Sequence, residues 1–140
     1  MQLTKNFSLE ELTKSSTADR LHIDNKPDET QLRKLKELCE NVLQPIRDKI
    51  NKPIYINSGF RCLELNKAVG GVPSSQHRLG EAADIDTRSY QGNKELFILL
   101  EEMSKNGEIE FDQLIDEYNY NWIHISYRKN SNRNQVLHIG

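Results

Sequence analysis

Cysteine is scarce in this chain, and that excludes one class of solutions. Cys39 and Cys62 are the only two among 140 residues, and no Cys-x-x-Cys pair occurs. A disulfide framework, a zinc ribbon and a dithiol redox motif therefore have no basis. Cys39 falls in a helical apolar stripe and reads as a small buried hydrophobe, and both thiols are expected to be reduced. No apolar run approaches the roughly 20 residues that a membrane span needs. Neither sign of charge dominates: 19 Lys and Arg stand against 21 Asp and Glu, a formal net charge of −2. A global pull toward nucleic acid is thus missing. No repeat, low-complexity tract or linker interrupts the sequence, so one domain over residues 1–140, acting as a monomer, is expected. The first residues carry no apolar stretch, which predicts synthesis in the cytoplasm without a leader.

Periodic segments fill the rest. Phe7-Ser8-Leu9-Glu10-Glu11 is a capping box with an apolar residue ahead of it, and predicts a short helix over 9–14. Ser15 to Arg20 starts another turn of helix. From Pro27, apolar residues recur at Leu32, Leu35, Leu38, Cys39, Val42, Leu43 and Ile46, the stripe of a long amphipathic helix that Pro45 should kink or break. Residues 52–57 read as a strand followed by Ser58-Gly59-Phe60-Arg61, then a short helix over 63–69 and a Gly/Pro loop over 70–75. A brief strand is expected over 83–86. A second amphipathic helix spans 93–105 and stops at Asn106-Gly107. Residues 111–117 and 122–127 form two strands joined by a loop short enough for a hairpin. Residues 135–139 suit a final edge strand, with His138 at its surface. His22 reads as a loop residue.

Chemistry concentrates in Ser75-Gln76-His77-Arg78-Leu79-Gly80-Glu81-Ala82-Ala83-Asp84. His77 lies in a turn and Asp84 on the following strand, with Gly80 allowing the chain to bend between them. His124 follows in Trp122-Ile123-His124. Two imidazoles and one carboxylate make a donor set for a catalytic zinc, which keeps one position for water. If residues 118–121 form the hairpin loop, Glu117 pairs with Trp122 and Ile115 with His124. Gln113, Glu117, Trp122, His124 and Ser126 then share a face, and Glu117 lies diagonal to His124. A one-residue slip would destroy that arrangement. A carboxylate so placed could relay a proton from the water to a leaving amine, and Arg61 could hold a carboxylate or an oxyanion.

These segments carry a resemblance. Ser-x-His-x-x-Gly-x-Ala-x-Asp at Ser75, His77, Gly80, Ala82 and Asp84, together with Ser58-Gly59-Phe60-Arg61 and Trp122-Ile123-His124, resembles the zinc D-alanyl-D-alanine carboxypeptidase family. These are peptidoglycan peptidases that share a core fold with hedgehog signalling domains. The likeness runs from Phe7 to Asn132-Arg133-Asn134-Gln135 and is greatest to short phage and prophage members. It implies an α+β fold, hedgehog/DD-peptidase-like, with a small antiparallel sheet packed against amphipathic helices. It implies Zn²⁺ on His77, Asp84 and His124, and substrate contacts from Arg61. Ser75, Gln76 and Trp122, inside the matching segments, are expected at the substrate. Several relatives carry an acid or His three residues before the last zinc ligand. Here that position is Asn121, which cannot act as a base, so Glu117 is the expected catalytic base and Asp116, facing the other way, the fallback. The implied activity is hydrolysis of a stem-peptide bond at the cell wall, reached after phage- or lysis-mediated release. A wall-binding module without hydrolysis and a zinc-stabilised interaction domain are the alternatives.

Overall fold

Apolar alternation decides the architecture. Leu114 on β3 (Gln113–Glu117), Ile123 and Ile125 on β4 (Trp122–Ser126), and Ala83 and Ile85 on β2 (Ala82–Asp86) all point to one face of a sheet and are buried. The computed structural model describes all 140 residues. β1 (Tyr55–Ser58) and β5 (Gln135–Ile139) complete five strands in the order β1-β2-β4-β3-β5. The β3–β4 register is the one the hairpin predicts: Glu117 opposite Trp122 and Ile115 opposite His124. β2 then pairs antiparallel with β4, setting Asp84 opposite His124.

The sheet is mixed rather than purely antiparallel, because β5 runs parallel to β3. The reason is positional. A strand returning from β4 runs antiparallel to it, but both flanks of β4 are taken, by β2 and β3. β5 therefore passes to the outer edge of β3, where the same direction makes it parallel.

Helices cover the apolar face. α1 (Leu9–Thr13) opens with the capping box expected at Ser8 and Glu11. α2 (Ser16–Leu21) is capped by the Ser15 hydroxyl. α3 (Glu29–Leu38) starts from a second box between Asp28 and Gln31, two residues after Pro27. Pro45 does not end the helix. A wider π turn over Cys39–Leu43 leads straight into α4 (Gln44–Ile50), so the proline falls in the first turn of α4. The wider turn accommodates the missing N–H and the ring that would otherwise clash with a carbonyl one turn back. α5 (Leu63–Ala68) is short, and α6 (Tyr90–Lys105) begins three residues before the expected start because Ser89 caps it. Leu35, Leu38, Val42, Leu43 and Ile46 from the α3–α4 unit join Leu96, Phe97 and Leu100 of α6 in one core with the sheet. Burying each such side chain is worth about 1.5–3 kcal/mol.

Both cysteines are unpaired. Cys39 is fully buried in the π turn, and that burial, with the charges of Glu11 and Glu40 adding, pushes its thiol up to about 12. Half-buried Cys62 begins α5. A water-soluble alkylating reagent is expected to label Cys62 in the native protein and Cys39 only after denaturation, read by intact mass. Native labelling of both thiols would show that the α3–α4 unit opens.

Candidate metal centre

The sheet register delivers two of the three donors. Asp84 and His124 are directly opposed on β2 and β4 and point away from the core face, and Oδ1 of Asp84 lies 3.0 Å from Nδ1 of His124. His77 arrives from a 3-10 turn over Gln76–Leu79. The turn reverses through Gly80, whose φ of +78° favours glycine. A Cβ there would also sit 2.5 Å from the carbonyl oxygen of Gln31 on α3. Nε2 of His77 ends 3.4 Å from the same Asp84 oxygen, and the two imidazoles meet edge to face.

The tautomer of His77 is set by its surroundings. Its Nδ1–H donates to the carbonyl of Gly59 at 2.7 Å, which turns Nε2 toward Asp84. Gly59 cannot carry a side chain, because a Cβ would fall 2.3 Å from the Leu12 carbonyl oxygen of α1. The donor atoms of His77, Asp84 and His124 all lie within 4.8 Å of one another. Ligands of one tetrahedral zinc at about 2.0–2.2 Å stand roughly 3.3–3.6 Å apart, so this set needs only small shifts to take the ion. Two neutral imidazoles and a carboxylate are also the right chemistry for Zn²⁺. Burial opposes ionisation of Asp84, but hydrogen bonds with His124 and then His77 outweigh it and hold the carboxyl well below its usual range.

A cleft of about 310 Å³ opens over Asp84, between Ser58 and Arg61 on one side and Lys14 to Thr17 at the α1–α2 corner on the other. Arg61 donates from Nη1 to the buried Asn66 at 3.1 Å, while its Nε is buried without a partner. Burial pushes the guanidinium down; the charges of Asp84 and Glu117 oppose the shift. Arg61 thus faces the cleft with donors unused. A larger cavity of about 470 Å³, bounded by Tyr55, Leu96 and Leu99, contains none of the three metal donors.

The other expected site residues divide. Glu117 lies across the hairpin from Trp122, and the indole Nε1–H donates to its carboxylate. Trp122 also packs against Tyr118. Asp116 points to the opposite face, where it accepts from Tyr120 N–H and contacts His138 on β5. Ser75 accepts a hydrogen bond from the His77 backbone and so caps the turn. Gln76 directs its amide nitrogen to Glu81 and Asp112.

Some partners had no sequence signal strong enough to mark them. Asp112 is fully buried and binds Arg133 through both its fork nitrogens at 2.8 Å. Buried Glu81 sits between Lys34 and Arg128. A lone acid beside Phe111 at the start of a strand was the only hint of Asp112. The cleft wall at Lys14 to Thr17 carries no motif at all.

Residues 5–126 match the sequence model of a family described as Peptidase M15. A segment of 48 residues, 34% of the chain, is 44% identical to the zinc D-Ala-D-Ala carboxypeptidase of Streptomyces albus G, and it spans 19% of that relative.

The Arg133 fork, with its N–H and Gln76 adding, outweighs burial and holds the Asp112 carboxyl at about 2, against 3.8 ordinarily. A carboxyl depressed in the fold stabilises it fully above the unfolded value and loses that contribution as pH falls through the folded one. Urea melts are therefore expected to weaken between about pH 4 and pH 2 more steeply in the wild type than in Arg133→Gln. Parallel pH curves for the two proteins would remove the pair from acid sensitivity.

Proposed function

The chain belongs to the peptidase M15 family, and we propose that it is a zinc metallopeptidase that hydrolyses a peptide bond in the stem peptide of peptidoglycan. The observation that carries this reading is the convergence of His77, Asp84 and His124 on one point at the edge of a cleft that Arg61 also faces. His77, Asp84 and His124 would hold Zn²⁺. When bound, the ion polarises the scissile carbonyl and acidifies the attacking water.

The remaining residues supply positioning and proton transfer. Arg61 anchors a substrate carboxylate or the oxyanion that develops at the carbonyl. Its unpaired Nε and desolvated guanidinium favour an anionic partner. Glu117 accepts the proton of the attacking water and delivers it to the leaving amine. The Trp122 indole N–H fixes the direction of that carboxylate. A bond involving a D-amino acid is the proposed target, because the aligned relative is named for D-Ala-D-Ala. Action at the cell wall, after release by lysis, is part of the same proposal.

Purified peptidoglycan digested with the zinc-loaded protein, followed by mass spectrometry of the muropeptides, tests the proposal. Fragment masses locate the cleaved bond. His77→Ala and Asp84→Ala are expected to lose zinc and turnover together. Glu117→Gln is expected to keep zinc and lose about 10²–10⁴-fold in kcat. Full turnover by Glu117→Gln would take Glu117 out of the base role. Binding to the wall with no released amine would favour a non-catalytic module, which Asn121 alone makes worth testing.

A further inference from the structure

Gln76 precedes a metal donor, yet its side chain does not join the donor set. Its amide nitrogen lies 3.3 Å from Oε1 of Glu81 and 3.0 Å from Oδ2 of Asp112. A primary amide has two hydrogens, so one serves each carboxylate. Both acids are buried and both have their own cations: Lys34 and Arg128 for Glu81, Arg133 for Asp112. The amide therefore bridges two neutralised carboxylates rather than facing the cleft.

That bridge joins two parts of the molecule. The 3-10 turn carrying His77 has only four residues, too few to fix itself. Apart from Glu81, whose N–H donates to the Gln76 carbonyl and whose own carbonyl takes the Tyr127 N–H just past β4, its other anchors lead toward the N-terminal half of the chain. Arg61 N–H donates to the His77 carbonyl, Gly59 takes the His77 ring, and Gln31 donates to the Arg78 carbonyl. Asp112 belongs to the other side. Its N–H donates to Ser126 at the end of β4, its carbonyl accepts from Gln135 on β5, and its carboxylate takes the Arg133 N–H. β4 also carries His124. The Gln76–Asp112 bond thus ties the turn that holds one donor to the strand system that holds another.

Taking His77, Asp84 and His124 as the metal set, we propose that Gln76 and Asp112 form a positioning brace that fixes His77 relative to His124 and so sets metal affinity. Arg133 completes it. Without that cation, Asp112 would be a buried, uncompensated charge, and the carboxylate that meets the amide would be driven to rearrange. The segment Asn132-Arg133-Asn134-Gln135 then has a role in the site although it lies beyond the cleft. Outer partners of metal ligands commonly change metal affinity about 10–100-fold when removed.

The test titrates apo protein with Zn²⁺ against a chromophoric chelator, without substrate. Gln76→Leu removes both donors at similar size. It is expected to bind zinc about 10–100-fold more weakly while keeping the native circular dichroism spectrum. Arg133→Gln changes a half-exposed side chain outside the donor set and is expected to weaken zinc in the same direction. If Gln76→Leu does not fold, Arg133→Gln carries the test alone. Zinc affinity within twofold of wild type in the folded variants, whatever their melting temperatures, would overturn the brace. So would a Gln76→Leu enzyme with unchanged zinc affinity and a raised KM, since that result makes Gln76 a substrate contact. A wild-type protein that takes up no Zn²⁺ defeats the metal reading itself, an outcome distinct from equal affinities in wild type and variants.

Discussion

Asp84 and His124 face each other across two antiparallel strands, and every other feature of the site depends on that pairing. Side chains alternate along a strand, so a slip of one residue would turn either donor into the core. The register is held from behind. Ala83, Ile85, Ile123 and Ile125 occupy the alternate positions and are completely buried. Hydrophobic packing on one face therefore fixes, at no separate cost, which polar groups emerge on the other. The donor pair is precise because the core beneath it has only one good fit.

The third donor follows a different rule. His77 is held by a turn rather than a strand, and a turn has no apolar face to fix it. Polar bonds take over that task. Its ring is held by a backbone carbonyl, its backbone by Ser75 and Arg61, and its neighbour by two buried acids. A buried polar group that loses its partner costs more than the bond itself contributed, so such a network tolerates few alternatives. The two glycines at the approach points, Gly59 and Gly80, belong to the same logic: each lies where a side chain would collide with a helix carbonyl.

This contrast explains what could be read from the sequence. The helix stripes, the capping box at Ser8 and the β3–β4 hairpin are local patterns, and local spacing carried them through to the structure. The three candidate donors, which the fold brings together, stood out because their types and spacing are distinctive. The parallel placement of β5 could not, because it depends on which sheet edge remains open after β2 has taken its place beside β4. Nor could the passage of the helix through Pro45, which relies on a wider turn that apolar periodicity does not encode. Asp112 and Arg133 lie 21 residues apart and meet only through that β5 return. A charge pair of that separation leaves no periodic trace.

In the proposed mechanism the acid comes from Glu117 rather than from position 121, and the two positions leave the hairpin differently. Asn121 sits just before β4, with its N–H donating to the Glu117 carbonyl as the loop closes. A side chain there leaves from the turn. Glu117 leaves from the partner strand, directly opposite Trp122 and diagonal to His124. Diagonal neighbours on one face stand about 7–8 Å apart at their backbones, a span that a long carboxylate side chain covers. Moving the acid across the hairpin therefore keeps it on the same face as the metal donors while changing the direction of its approach. It also brings the carboxylate under the Trp122 N–H. The carboxylate and the indole that orients it thus arise together from the β3–β4 register, while the neighbouring β2–β4 register opposes Asp84 to His124.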